Sequence, residues 1–130
     1  MIVVVWFAVV AGLTVVSLLP QDTSPVALGE STAGVVSSLA HIPAYALLVA
    51  LSVPVARRLL RARRAALALA SCFGLALGLV MEIVQPFFGR SGNLLDMSYN
   101  IAGVVLGAGY WLRRRPLAPR RVRRALARQG

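Results

Sequence analysis

Long, mostly apolar stretches, separated by short segments that hold nearly all the charge, constrain the fold of this chain more than any other feature. They run from about Ile2 to Leu19, Val35 to Ala56, Ala65 to Phe88 and Leu94 to Leu112. A membrane-spanning helix needs about 20 mostly apolar residues to cross about 30 Å of hydrocarbon. Such a segment must be helical, because a lone strand would leave backbone polar groups unpaired in lipid. The sequence therefore predicts an all-α membrane protein with four transmembrane helices.

The composition argues against soluble classes of protein. Hydrophobic residues make up 58% of the 130 residues and charged residues 14%, and the mean hydropathy is +0.77. A soluble domain is about half apolar and about a quarter charged. The single cysteine, Cys72, lies in an apolar stretch and has no partner for an internal disulfide. A soluble enzyme, a disordered tail and a disulfide scaffold all fit this composition poorly.

The distribution of arginine predicts the orientation. Five arginines fall in Arg57–Arg64 and eight from Arg113 onwards, whereas the two other connecting segments hold only Arg90. Because positive residues are enriched on the cytoplasmic side of a membrane, we expect both termini to be cytoplasmic. An arginine-rich chain without lysine is also typical of bacteria with GC-rich genomes. The sequence thus predicts a multi-pass protein of the bacterial cytoplasmic (inner) membrane.

The chain divides into a transmembrane domain, residues 1–112, and an arginine-rich cytoplasmic tail, residues 113–130. Net charge is +10, but the arginine blocks adjoin apolar spans, so we expect the tail to contact anionic membrane lipids. Nucleic acid is not an expected partner. Four spans would need a second copy to enclose a transport pathway, so a homo-oligomer is left open.

Polar residues recur on single faces of the last two spans. The third span carries Gly74, Gly78, Glu82 and Gln85 at helical spacing, and the fourth carries Asp96, Asn100, Gly103 and Gly107. Because consecutive spans run antiparallel, the acids and amides should meet at the outer end, with the two glycine pairs facing each other deeper in the membrane. His41 and Tyr45 share one face of the second span, and His41 reaches the same depth as Glu82 and Asn100, about 9 Å below the boundary.

An ionisable side chain within a membrane indicates function by default. Glu82 and Asp96, in different surroundings, suit acid and base roles, and His41 suits proton relay; these three are the candidate catalytic residues. Arginine favours bidentate anion recognition. The candidate substrate-binding residues are Arg90, Gln85, Asn100, Tyr45 and Ser91. No cofactor or metal is expected. Two alternatives stay open: a structural network that fixes helix register, and a metal held by His41, Glu82 and Asp96.

The same residues resemble the VanZ-like family. The resemblance rests on Gly78-Leu-Val-Met-Glu82-Ile-Val-Gln85, on Gly89-Arg90-Ser91, on Asp96-Met-Ser-Tyr-Asn100-Ile-Ala-Gly103 and on the earlier His41-Ile-Pro-Ala-Tyr45. In the family, Asp-Lys usually stands four and three residues before this histidine. Here Ser37 and Ser38 occupy those positions, so a charge pair is missing at the mouth of the site.

This resemblance implies a small bacterial membrane protein of the cell envelope, in a family associated with reduced sensitivity to the antibiotic teicoplanin. It implies an extracytoplasmic polar site that acts on or binds a cell-envelope lipid or a lipid-linked peptidoglycan precursor. Whether a reaction is catalysed stays open. The alternative is a non-enzymatic membrane scaffold or precursor-binding protein, in which the polar residues hold the fold.

Overall fold

The computed structural model describes residues 1–18, 39–89 and 94–114 of the chain. Within them lie four α-helices: α1 (Ile2–Leu18), α2 (His41–Ala56), α3 (Arg63–Val84) and α4 (Leu94–Arg113). A short 3-10 helix, Gln85–Phe88, continues α3. The described residues contain no strand, so the predicted all-helical architecture is confirmed. The predicted start of the second span and the tail beyond Arg114 lie outside the described residues.

Only one helix in the described part of the chain is long and apolar enough to cross a membrane by itself. It is α3 with its 3-10 extension, Arg63–Phe88, which has 26 residues. The helices α1 and α2 are apolar but have 17 and 16 residues. The helix α4 has 20 residues, but its first turns carry Asp96 and Asn100, which lower its hydropathy.

The helices alternate in direction. Near the start of α1, the indole N–H of Trp6 donates to Ser52 Oγ near the end of α2, at 2.8 Å. At the other end of α1, the side-chain amide of Gln85 donates to the Ser17 carbonyl at 3.3 Å. The helix α1 is therefore antiparallel to α2 and parallel to α3. This is the up-and-down order of a four-helix bundle.

The helix α2 lies at the centre of the bundle. It contacts the three other helices, and α3 likewise contacts α1, α2 and α4, so α1 and α4 flank the α2–α3 pair. The buried core consists of Tyr45, Leu48, Val49, Val53, Ala70 and Val104. Most of these residues come from α2, which explains why its pattern is apolar on several faces.

The predicted face-to-face packing of the two glycine pairs is wrong. A methyl group built on Gly103 would lie 2.5 Å from the Ile42 carbonyl oxygen, and one on Gly107 would lie 2.7 Å from the Ala46 carbonyl oxygen. Both glycines of α4 therefore admit the backbone of α2, as small residues do where helices approach closely. The glycines of α3 instead lie against side chains, Gly78 against Asn100 of α4 and Gly74 against Val104 of α4 and Val49 of α2. The two glycine pairs therefore do not face each other.

A proline in α2 is matched by a donor from α4. Pro54 has no N–H, so the carbonyl of Ala50, four residues earlier, lacks its helical donor. The indole N–H of Trp111 donates to that carbonyl at 3.0 Å. This hydrogen bond fixes the end of α4 against α2.

Candidate functional site

The candidate site lies at the end of the bundle where α3 ends and α2 and α4 begin. We call its described side chains the polar cluster: His41, Tyr45, Glu82, Gln85, Asp96 and Asn100. The opposite end, the arginine end, holds every arginine of the described residues: Arg57, Arg58, Arg61, Arg63, Arg64, Arg113 and Arg114. Both acidic residues in the described part of the chain belong to the polar cluster. The bundle is therefore polarised, with acids at one end and bases at the other.

The register of α3 and α4 brings the two acids to the same level. A methyl group built on Gly78 would lie 3.0 Å from Asn100 Nδ2, and one on Gly74 would lie 3.1 Å from Val104 Cγ2. These pairs show that α3 and α4 are antiparallel, with four residues on one matched by four on the other. One further step places Asp96 level with Glu82.

The helix α2 contributes His41 at the level of the two acids and Tyr45 one helical turn deeper. The methyl group built on Gly74 would also lie 3.2 Å from Val49 Cγ2, and α2 is antiparallel to α3, so Tyr45 is level with Gly78 and His41 with Glu82. The carboxylate of Glu82 accordingly interacts with Tyr45 electrostatically. The rings of His41 and Tyr45 are stacked, with centroids 6.4 Å apart. The structure therefore keeps His41 and Glu82 at one level, as predicted, but it places Asn100, predicted at the same depth, one turn deeper beside Gly78.

Three amide and carboxyl side chains of the polar cluster are almost fully buried. Gln85 and Asn100 are each 1% exposed and Asp96 is 6% exposed. The oxygens Gln85 Oε1, Asp96 Oδ1 and Asn100 Oδ1 are buried and accept no hydrogen bond in the described structure. Each such group costs about 1–3 kcal/mol, and few occur in folded proteins. Three such groups lie on two facing helical segments, so the described residues leave these acceptors without donors.

The side-chain amide of Gln85 makes a hydrogen bond through its nitrogen but none through its oxygen. Its amide N–H group donates to the Ser17 carbonyl at 3.3 Å, one of the last carbonyls of α1, which have no helical donor. Its carbonyl oxygen is the buried acceptor described above. The sequence predicted Gln85 as substrate-binding, but it did not indicate Ser17, because a backbone acceptor leaves no mark in the residue types.

A small pocket adjoins the cluster between α1 and α2. It has a volume of about 140 Å³ and is lined by Leu13, Val16, Ser17, Ala40, His41, Ala44 and Tyr45. A water molecule occupies about 30 Å³ of liquid, so the pocket suits a group of a few heavy atoms. The contribution of α1 was missed from the sequence, because its residues there are mostly apolar.

Three sequence-based expectations have separate outcomes. Arg90 and Ser91, predicted to bind substrate, lie outside the described residues, as do Ser37 and Ser38. The alternative of a metal held by His41, Glu82 and Asp96 is wrong: in the described part of the chain, no three His, Cys, Asp or Glu side chains lie close enough to share a metal ion.

No protein-family model matches this chain, and no curated protein and no solved structure matches it either. The similarity to the VanZ-like family therefore stays a prediction from the motifs. The functional argument depends on the geometry of the polar cluster.

Proposed function

We propose that this chain is a VanZ-like, four-span protein of the bacterial cytoplasmic membrane whose polar cluster faces the extracytoplasmic side. In this proposal the cluster binds or acts on a cell-envelope lipid or peptidoglycan precursor and thereby alters sensitivity to teicoplanin. The observation that carries the proposal is the set of three buried, unpartnered acceptor oxygens on Gln85, Asp96 and Asn100. A ligand that supplies donors would remove their desolvation cost.

The surface of α3 supports the membrane location. Only 28% of its most apolar window is buried against the rest of the chain. Large apolar side chains of α3 remain exposed, among them Leu69, Leu79, Val80 and Ile83. The core helix of a soluble protein would bury most of such a surface, whereas a lipid-facing helix leaves it to the hydrocarbon.

The separation of charge supports the orientation. Seven arginines of the described residues lie at the arginine end and both described acids at the other. With the arginine end in the cytoplasm, the chain obeys the positive-inside rule. Glu82 and Asp96 then lie near the outer boundary, where an envelope precursor is accessible.

Teicoplanin susceptibility of a sensitive bacterial host tests the function. The host would express wild type, Glu82→Gln or Asp22→Asn, or carry an empty vector, with membrane protein quantified in each. We expect wild type to protect. Asp22→Asn, which removes an acid that is not among the candidate site residues, should protect as well. An equally abundant Glu82→Gln should not protect, because this change keeps the shape of the side chain but removes its charge. Absence of protection by abundant wild type would overturn the link to teicoplanin.

Cysteine accessibility tests the orientation. In a Cys72→Ala background, Ser91→Cys should react with a membrane-impermeant thiol reagent in intact cells. Ala62→Cys, next to the arginine end, should react only after the cells are opened. The reverse pattern would put the polar cluster in the cytoplasm and remove the extracytoplasmic site from the proposal.

The second candidate function is a non-enzymatic scaffold, favoured by the Gln85–Ser17 hydrogen bond that ties α1 to α3. If the cluster only holds the fold, Glu82→Gln and Asp96→Asn should lower the membrane level and melting temperature in proportion to any loss of protection. Loss of protection at normal level and melting temperature would instead indicate a ligand site.

A further inference from the structure

We propose that the polar cluster binds a compact cation through side-chain oxygens of Glu82, Gln85, Asp96 and Asn100. The cation is either a free hard metal ion or the primary ammonium group of a lipid head group. This inference rests on the proposed function in one respect: it treats the cluster as a ligand site. It adds the chemical class of that ligand.

The cluster presents acceptors where a donor or a positive charge is needed. The orientation of Gln85 is fixed, because its amide N–H group donates to the Ser17 carbonyl, so the buried Oε1 atom is an acceptor by geometry. Asp96 Oδ1 and Asn100 Oδ1 are buried acceptors without a donor among the described residues. A ligand without donors or positive charge would leave these three oxygens without partners, whereas a cation would interact with them favourably.

The helix packing brings these oxygens to adjacent turns. Asp96 is level with Glu82, and Asn100 lies one turn deeper, against Gly78, where a methyl group would come within 3.0 Å of its side-chain nitrogen. Gln85 follows Glu82 by three residues on the same face of the helical stretch. Two carboxylates and two amides therefore lie on facing helical segments, within about two helical turns of one another.

The ligand types select the cation. Carboxylate and amide oxygens are the ligands of hard cations such as Ca²⁺ and Mg²⁺, whereas transition metals favour imidazole and thiolate. A primary ammonium group offers three donors and matches the same oxygens, but a quaternary ammonium has none. The arginines of the described residues lie at the opposite end of the bundle, so none of them supplies this charge.

The test uses the full chain in nanodiscs of phosphatidylcholine, a lipid without a primary amine. The melting temperature and the Kd would be measured with CaCl₂, MgCl₂ or NaCl at matched ionic strength, and separately with glycerophosphoethanolamine or glycerophosphocholine. A ligand that binds the native state raises the melting temperature by mass action. We expect one metal ion, or glycerophosphoethanolamine but not glycerophosphocholine, to raise it for wild type.

Three variants make the result specific. Asp96→Asn and Asn100→Leu should each weaken binding by about tenfold or more, the loss expected when a site loses a ligand or its support. Asp22→Asn removes an acid that is not among the proposed ligands and should bind as wild type does. Two cluster variants are used so that a folding defect in one leaves the other informative.

The outcomes distinguish a free metal ion from a lipid head group, and the cation site from the proposed link to teicoplanin. A metal response identifies a free ion, and an ethanolamine response identifies a head group. Equal responses in wild type and both cluster variants, or none at all, would overturn the cation site. Teicoplanin protection without cation binding would overturn this inference alone, and cation binding without protection would overturn only the link to teicoplanin.

Discussion

The two ends of the bundle differ in whether their polar groups have hydrogen-bond partners among the described residues. At the arginine end, the guanidinium of Arg63 donates to the main-chain carbonyls of Trp111 and Arg114, and Trp111 donates to Ala50. At the polar cluster, oxygens of Gln85, Asp96 and Asn100 accept nothing in the described structure. One end is completed by the chain itself. At the other end, three buried oxygens have no donor among the described residues.

At the arginine end, a side chain supplies donors to main-chain carbonyl groups that have no helical donor. The last carbonyls of a helix have no helical donors and carry the negative end of its dipole. Arg63, at the start of α3, supplies charged donors to the end of α4. The guanidinium of Arg114 lies 4.7 Å from the centroid of the Tyr110 ring, which adds a cation–π contact. Among the described residues, no arginine lies at the polar cluster.

Disruption of the close packing between α2 and α4 should cause the largest loss of stability. Gly103→Ala would place a methyl group 2.5 Å from the Ile42 carbonyl, so α2 and α4 must separate. We expect the free energy of unfolding to fall by about 1–3 kcal/mol or more, as measured by detergent-induced unfolding. Gly109→Ala is the control on the same helix, because nothing lies within 4 Å of its added methyl group. Equal losses in both variants would show that α4 does not pack on α2 in this way.

At the arginine end, removal of a matched donor should be costly. Trp111→Phe keeps a ring but leaves the Ala50 carbonyl without a donor, so we expect a loss of about 1–3 kcal/mol in the free energy of unfolding. Pro54→Ala restores a helical N–H to that carbonyl. A double-mutant cycle should therefore show a smaller cost of Trp111→Phe in the Pro54→Ala background. The same cost in both backgrounds would mean that ring packing, rather than the hydrogen bond, holds this end.

Between the two ends, the link from α1 to α2 should have a moderate effect. Trp6 donates to Ser52 Oγ, and Ser52 donates in turn to the Leu48 carbonyl at 2.7 Å. Hydrogen bonds between membrane helices contribute about 0.6 kcal/mol on average and up to about 1.7 kcal/mol. We expect Trp6→Phe to cost this much in wild type and clearly less in a Ser52→Ala background. Additive costs would remove the hydrogen bond as the link.

The helices and the membership of the polar cluster could be predicted from the sequence because both depend on local spacing. Apolar runs between arginine blocks located α4 within one residue of its observed bounds, and α3 together with its 3-10 extension within two. Distance from the helix ends, at 1.5 Å per residue, predicted one depth for His41, Glu82 and Asn100; the structure keeps the first two level but places Asn100 one turn deeper.

The helix faces that make each contact could not be predicted in the same way. Gly103 and Gly107 occur at the spacing expected for packing against another glycine pair, but they pack on α2. Helical spacing defines a face without saying which neighbour it meets. The donors that meet the carbonyls of Ser17 and Ala50 were missed for a related reason: a carbonyl acceptor is common to every residue type. Only the missing N–H of Pro54 gave a signal.

The smallest change in stability is expected where the sequence places its most polar buried groups. Asn100→Leu nearly preserves side-chain shape, and Asp96→Asn preserves it fully. Neither removes a hydrogen bond that the described structure records for Asp96 Oδ1 or Asn100 Oδ1. Because an unpartnered buried acceptor opposes folding, we expect the free energy of unfolding without ligand to stay within about 1 kcal/mol of wild type or to rise.

Trp111→Phe, measured in the same detergent system, is the matched comparison from the arginine end. If Asn100→Leu loses as much stability as Trp111→Phe, the two ends do not differ, and the polar cluster is a structural network. If its stability is kept while cation binding and teicoplanin protection are lost, the fold tolerates these acceptors and the ligand requires them.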